Sequence, residues 1–146
     1  MLIRWIVVLA AVLGFVSVAI GAFGAHGLDS RLEAQGFAAE EIAKKLDQCE
    51  TAVRYQMFHV LALMALGLMG QQACSKKRSV ASAFFALGIC LFCGGLYSMV
   101  FLDAMGHWAI VPAGGLCFMI GWICTVLVGL DRTAGQGDCD VKQVAT

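Results

Sequence analysis

Four stretches of this chain contain no Asp, Glu, Lys or Arg: Trp5–Ala25, Tyr55–Ser75, Ser79–Leu102 and Ala104–Leu130, of 21, 21, 24 and 27 residues. Each reaches or exceeds the ~20 residues that cross a bilayer as an α-helix. Together they take up 93 of the 146 residues. With 14% charged residues against 60% hydrophobic ones, too little charge remains to coat a soluble core of this size. The expected fold is therefore all-α: an integral membrane four-helix bundle, with a short amphipathic surface helix between helices 1 and 2. One domain is expected over 1–146, with spans at about 2–25, 54–74, 80–102 and 107–130, a polar loop at 26–53 and a mobile tail at 131–146. The first apolar run is longer than the core of a usual signal peptide, so it reads as an uncleaved first span.

Small residues recur along the first span at Ala10, Gly14, Ser17 and Gly21, one helical face on which a neighbour can approach closely. Gly24 ends the same run. In the loop, Ser30-Arg31-Leu32-Glu33 has capping-box spacing and Gly36 is a stop signal. From Phe37 the period becomes helical. Ile42, Leu46, Cys49 and Val53 fall on one side, while Glu40–Lys44 and Glu41–Lys45 pair across a turn. This segment is expected at the membrane surface, running towards the second span.

Four spans put the N-terminus, the turn between spans two and three and the C-terminal tail on one side. That side holds Arg4, Lys76, Lys77, Arg78, Arg132 and Lys142, against Arg31, Lys44, Lys45 and Arg54 on the other. The positive-inside rule then places both termini in the cytoplasm of a multi-pass inner (plasma) membrane protein.

With that topology the three histidines, His26, His59 and His107, fall near the outer ends of spans. Arg54, Tyr55 and Gln56 flank His59, and Asp103 lies near His107. At ~1.5 Å per residue His59 is expected about 7 Å below Arg54, in or just under the interface. Such an outer polar cluster can bind a metal or move protons, or can simply be amphipathic side chains sitting where water begins. The second reading is favoured, and neither a metal nor a cofactor is expected.

Cys90, Cys93, Cys117 and Cys124 share a middle depth, so a four-thiol cluster is conceivable. No neighbouring charge would activate such thiols, and only Cys49 lies on the oxidising side; small-residue packing accounts for them better. Gly114-Gly115, just after Pro112, could loosen the start of the fourth span into an anion seat. The favoured account is close packing of Gly94-Gly95 against Gly114-Gly115. No acidic or basic residue lies deep in any span, which removes the usual coupling groups of ion-driven transporters. Zero net charge leaves nucleic acid no electrostatic footprint.

Two segments are distinctive: Gly21-Ala-Phe-Gly-Ala-His-Gly-Leu28 and Glu50-Thr-Ala-Val-Arg-Tyr-Gln-Met-Phe-His-Val-Leu-Ala-Leu63. With Phe92-Cys-Gly-Gly-Leu-Tyr97, Pro112-Ala-Gly-Gly115 and Gly121-Trp122, they closely resemble the YgdD-like family of bacterial membrane proteins. The resemblance runs from about Gly21 to Trp122. That family is a domain of unknown function with a small eukaryotic transmembrane branch. The resemblance implies four spans and a bacterial inner-membrane location, and carries no established reaction. Its motifs include His26, Arg54, Tyr55, Gln56 and His59. Cys93 stands where a small hydroxyl residue is expected, and Phe58 where tyrosine is common, so neither a thiol nor a hydroxyl there is required.

The favoured function is a non-enzymatic structural, partner-binding or lipid-binding membrane component, its partners the bilayer and a homo-oligomer or another membrane protein. A small oligomeric transporter or channel is the alternative. A histidine–metal or thiol-redox membrane enzyme is the second alternative.

Overall fold

The computed structural model describes the backbone of residues 2–69, 75–103 and 109–144, and the side chains of residues 4–69, 76–103 and 109–130. Every element among them is helical. α1 is Leu2–His26, α2 Leu28–Ala34 and α3 Ala39–Leu68. α4 (Ser75–Gly88), a π-helical turn (Ile89–Cys93) and α5 (Gly94–Phe101) follow one another as a third span, and α6 is Ile110–Val144. Four segments are long and apolar enough to cross a membrane: Arg4–His26, Ala39–Leu68, Lys76–Phe101 and Ile110–Leu130.

The loop between the first two spans differs in detail from the sequence reading. α2 is only seven residues long, and it begins after Gly27 without a side-chain cap. Ser30 lies inside α2, its hydroxyl turned to the Gly27 carbonyl and Asp29, so the Ser30–Glu33 spacing is not a capping box. Gly36 does stop α2. It sits at φ +84°, its N–H bonded to the Glu33 carbonyl, while the Phe37 N–H reaches the Leu32 carbonyl. That is the Schellman pattern, and Phe37 and Leu32 pack into one cluster beside it, the usual hydrophobic companion.

The amphipathic segment and the second span are one 30-residue helix, α3. No Gly or Pro interrupts the sequence from Ala39 to Leu66, so nothing resets the helical phase between the charged and the apolar halves. α3 ends at Leu68, earlier than expected; residues 70–74 lie outside the described residues. α6 passes through Gly114-Gly115 without a break. Pro112 falls within its first turn, where a missing N–H costs nothing, and the Ala113 N–H already donates to the Ala109 carbonyl.

α3 is the hub of the bundle. α1 packs along one side of it and the third span along another, while α6 packs on the third span. The α1–α3 contact is made by small residues. Ala10 and Ser17 are fully buried. A methyl group built on Gly14, Gly21 or Gly24 would lie 3.3, 3.2 and 3.2 Å from Val60, Val53 and Cys49. The Ser17 hydroxyl donates to the Val53 carbonyl at 3.2 Å.

The contact between the third span and α6 works differently. Rings and backbone enter glycine notches: Phe118 against Gly88, Phe85 against Gly121, and the backbone of Phe92 against Gly114. The expected mutual facing of Gly94-Gly95 and Gly114-Gly115 is corrected here. Gly95 takes the Val111 side chain, and the position a Gly94 methyl would occupy meets nothing within 4 Å. Ordinary helical spacing is the physical reason: Phe85, Gly88, Phe92 and Gly95, three or four residues apart, are the positions of the third span that meet α6, and Gly94 falls about 200° from Phe92, off that face.

Each end of α3 is tied to the third span. At one end the buried Lys45 ammonium donates to the Met99 carbonyl at 3.0 Å and to the Asp103 carboxylate at 2.8 Å, and lies over the Phe37 ring. Asp103 itself sits at φ +50°, in the left-handed conformation that follows a helix end. At the other end the Arg78 guanidinium donates to the carbonyl of Met69, the C-cap of α3, at 2.8 Å.

Candidate functional site

The Lys45–Asp103 pair marks one end of the bundle and the Arg78–Met69 bond the other. Along α3 at ~1.5 Å per residue, His59 is about 21 Å from Lys45 and about 15 Å from Met69. His59 therefore lies near the middle of the bundle, well below the expected outer mouth. The expectation measured depth from Arg54, but α3 and its tie to the third span extend well beyond that residue.

His59 is buried on the inner face of α3. Its Nδ1 bonds the Tyr55 carbonyl at 2.7 Å, and its Nε2 lies 3.3 Å from the Trp122 indole N–H. Indole nitrogen only donates, so Nε2 accepts and Nδ1 carries the proton. The ring is thereby held as the neutral Nδ1–H tautomer with both nitrogens occupied. It stacks on Phe118 at 3.5 Å and 10° and tilts against Phe85 at 5.5 Å. Trp122 meets Phe85 edge-on at 5.2 Å, and Tyr55 covers Phe92 at 4.9 Å. Phe85 and Phe118 reach this cluster because Gly121 and Gly88 opposite them have no side chain.

One helical turn away, Gln56 is buried and used at both ends. Its amide nitrogen donates to the Leu13 carbonyl of α1 at 2.8 Å, and its oxygen accepts from the Tyr97 hydroxyl of α5 at 2.9 Å. One side chain thus bolts α1, α3 and α5 together. In an apolar interior an unpaired amide is costly, so this network prescribes one arrangement of the three helices.

The predicted cluster separates into three places. Gln56 and His59 are buried inside the bundle, each in its own network, with the partly exposed Tyr55 ring stacked beside His59. Asp103 is at its end, paired with Lys45. Arg54 is exposed on α3 and pairs with Glu50, and His26 is exposed at the end of α1. His107 lies outside the described residues. Sequence reasoning gave no site role to Lys45, Tyr97 or Trp122, and named Ser17 only for its small size. Tyr97 and Trp122 stood within quoted motifs; Lys45 offered only its spacing from Glu41.

Among the described residues no three His, Cys, Asp or Glu side chains converge as metal ligands. Cys93 is fully buried and Cys90 exposed, while Cys117 and Cys124 are half-buried on α6. A four-thiol cluster is therefore not formed. Cys49, the one cysteine expected on the oxidising side, is buried against Gly24.

A groove of about 580 Å3 opens between the C-terminal half of α1 and the first half of α3. Gly21, Gly24 and Ala25 make one wall; Asp47, Glu50 and Val53 stand on the other. Asp47 and Glu50 are exposed acids, and Arg54 reaches back to Glu50.

A family model described as a protein of unknown function, DUF423, matches residues 20–115. The chain is 37% identical over 135 residues to the UPF0382 inner membrane protein YgdD of Escherichia coli K12, covering 92% of this chain and 95% of that one. It is 39% identical over 115 residues to a UPF0382 membrane protein of Haemophilus influenzae, covering 79% and 85%. A UPF0382 membrane protein of Staphylococcus saprophyticus is 35% identical over 121 residues, covering 83% and 92%. No solved structure matches the chain.

Proposed function

The chain belongs to the DUF423 family of membrane proteins, and from that membership we propose that it is a non-enzymatic, multi-pass inner-membrane component that acts by binding a lipid or a membrane partner. The observation that carries this reading is how the polar groups inside the spans are used. His59 Nε2, both ends of the Gln56 amide and the Lys45 ammonium hold one helix to another, and His59 Nδ1 is bonded within α3 to the Tyr55 carbonyl. A general base or metal ligand needs a lone pair turned to a substrate, and Nε2 of His59 has given its lone pair to Trp122. Among the charges that face outward, Asp47 and Glu50 line the α1–α3 groove with Arg54 paired to Glu50 beside it, a grouping suited to recognition.

Both termini lie in the cytoplasm in this reading, which puts the Lys45 end of the bundle and its groove in the outer leaflet. The Lys76–Arg78 cluster, tight against the start of the third span, supports that orientation.

Native mass spectrometry of the chain extracted from its own membrane in mild detergent tests the function. Lipid or protein mass retained in stoichiometric amount is the expected result. A bare chain that is folded by circular dichroism would overturn it. A fluorescent tag fused after Thr146 should resist an impermeant reagent in intact cells, and labelling there would reverse the orientation.

A further inference from the structure

We propose that the α1–α3 groove seats one phospholipid with a primary-amine headgroup, of the phosphatidylethanolamine class. Its ammonium lies on Asp47 and Glu50, its phosphate on Arg54, and an acyl chain runs along Phe58 and Leu61. The assignment deepens the lipid-binding reading above and rests on it.

The order of residues on α3 carries the assignment. Asp47, Glu50, Arg54, Phe58 and Leu61 recur every three or four residues, so they form one stripe along the helix. From the Lys45 end inward that stripe reads acid, acid, base, apolar, apolar. An amine-headed phospholipid inserted from the same end reads ammonium, phosphate, acyl chain. Phe58 and Leu61 are 59% and 60% exposed, and the Glu50 and Arg54 side chains 68% and 58%, so the whole stripe is open to an occupant. The acids border a real cavity, whose opposite wall of Gly21, Gly24 and Ala25 leaves room beside them.

The depth also fits. Gly21 lies against Val53, so Arg54 is level with a point about five residues inside the end of α1, or about 8 Å. Charge held that far down beside hydrocarbon is expensive unless an opposite charge meets it. Arg54 can keep one donor on Glu50 and offer others to a phosphate, which guanidinium geometry favours.

Two other occupants fit less well. Two carboxylates, Asp47 and Glu50, line the groove, with the one guanidinium of Arg54 beside it on Glu50, a surplus that repels an anionic headgroup lacking a cation. A second copy related by a two-fold axis along the membrane normal would bring Asp47 and Glu50 to the same depth as their own counterparts, setting like charges together.

The test uses the full chain in detergent micelles doped with equal amounts of phosphatidylethanolamine, phosphatidylcholine and phosphatidylglycerol of matched chains, read by native mass spectrometry. One phosphatidylethanolamine per chain should be retained, about tenfold over either competitor, and chain-free glycerophosphoethanolamine should not displace it. The Asp47→Asn/Glu50→Gln double variant should lower retention to the phosphatidylcholine level, and Arg54→Gln should weaken retention of all three lipids. Glu33→Gln, on α2, should leave the preference intact. Helicity by circular dichroism accompanies each variant. Should the double variant fail to fold, stepwise N-methylation of the lipid amine against the wild-type chain asks the same question, and retention should fall with each methyl. Lipid retained without headgroup preference, or with a preference indifferent to these substitutions, overturns the assignment while leaving lipid binding intact. A bare folded chain overturns both.

Discussion

Replacing Gly114 by alanine should prise α6 off the third span. A methyl group at that position would lie 2.3 Å from the backbone nitrogen of Phe92 and 2.8 Å from its Cα, where ordinary contact starts near 3.4 Å. Backbone inside a helix cannot swing aside as a side-chain tip can, so the helices must part by about 1 Å, and a gap of that order forfeits a quarter to a half of each van der Waals contact it opens. The loss extends along the seam, because Phe118 on Gly88, Phe85 on Gly121 and Val111 on Gly95 sit in the same interface. Overpacking of this kind costs about 3 kcal/mol. Alanine returns about 1 kcal/mol over glycine in helix preference. The net of about 2 kcal/mol is about a 30-fold shift in the unfolding equilibrium. Equilibrium unfolding in mixed micelles of increasing dodecyl sulfate content, followed by circular dichroism, would measure it. Two neighbours are the controls: a methyl on Gly115 would be 3.9 Å from the Phe92 ring, and one on Gly94 meets nothing. Gly115→Ala and Gly94→Ala should be neutral or slightly stabilising. If Gly114→Ala unfolds with the wild type, or if Gly115→Ala costs as much, the notch account of this interface is wrong.

Three further outcomes follow from the polar network. His59→Phe should cost about 1 kcal/mol, because it keeps the stack on Phe118 but strands the Trp122 N–H, while His59→Ala should cost about 3 kcal/mol by emptying the site; equal losses in the same unfolding assay would contradict this. Gln56→Leu and Tyr97→Phe should be coupled by about 1 kcal/mol in a double-mutant cycle, the second change costing little once the first has removed its partner; strict additivity would show that the bond contributes nothing. Lys45→Met should stay within about 1 kcal/mol of wild type, since Asp103 is 66% exposed and water can take over its carboxylate, whereas Asp103→Ala strands a buried ammonium and should be the more damaging of the two. The reverse order of thermal stability would refute that reading.

Much of this protein is legible from local sequence, because a bilayer imposes local rules. Any segment inside it must satisfy its own backbone hydrogen bonds, so long uncharged runs become helices whatever they later touch. The Ala10–Gly21 face of α1 and the stop at Gly36 are likewise local: small side chains allow close approach, and a left-handed turn favours glycine. Position along the bundle and pairing across it are not local. Glu41 and Lys45 are one turn apart, yet the third span delivers the Met99 carbonyl and Asp103 to Lys45 from more than fifty residues away. Since α3 starts sixteen residues before the uncharged run does, His59 lies in the middle of the bundle, and Trp122, from a different helix, takes its second nitrogen. Phe85, Gly88, Phe92 and Gly95 recur three or four residues apart, so that face is legible, but only the packing decides that α6 meets it and that Gly114, rather than Gly115, takes the Phe92 backbone. Local chemistry settled which segments are helices; the packing of one helix on another decided which polar groups spend their hydrogen bonds inside and which charges remain facing outward.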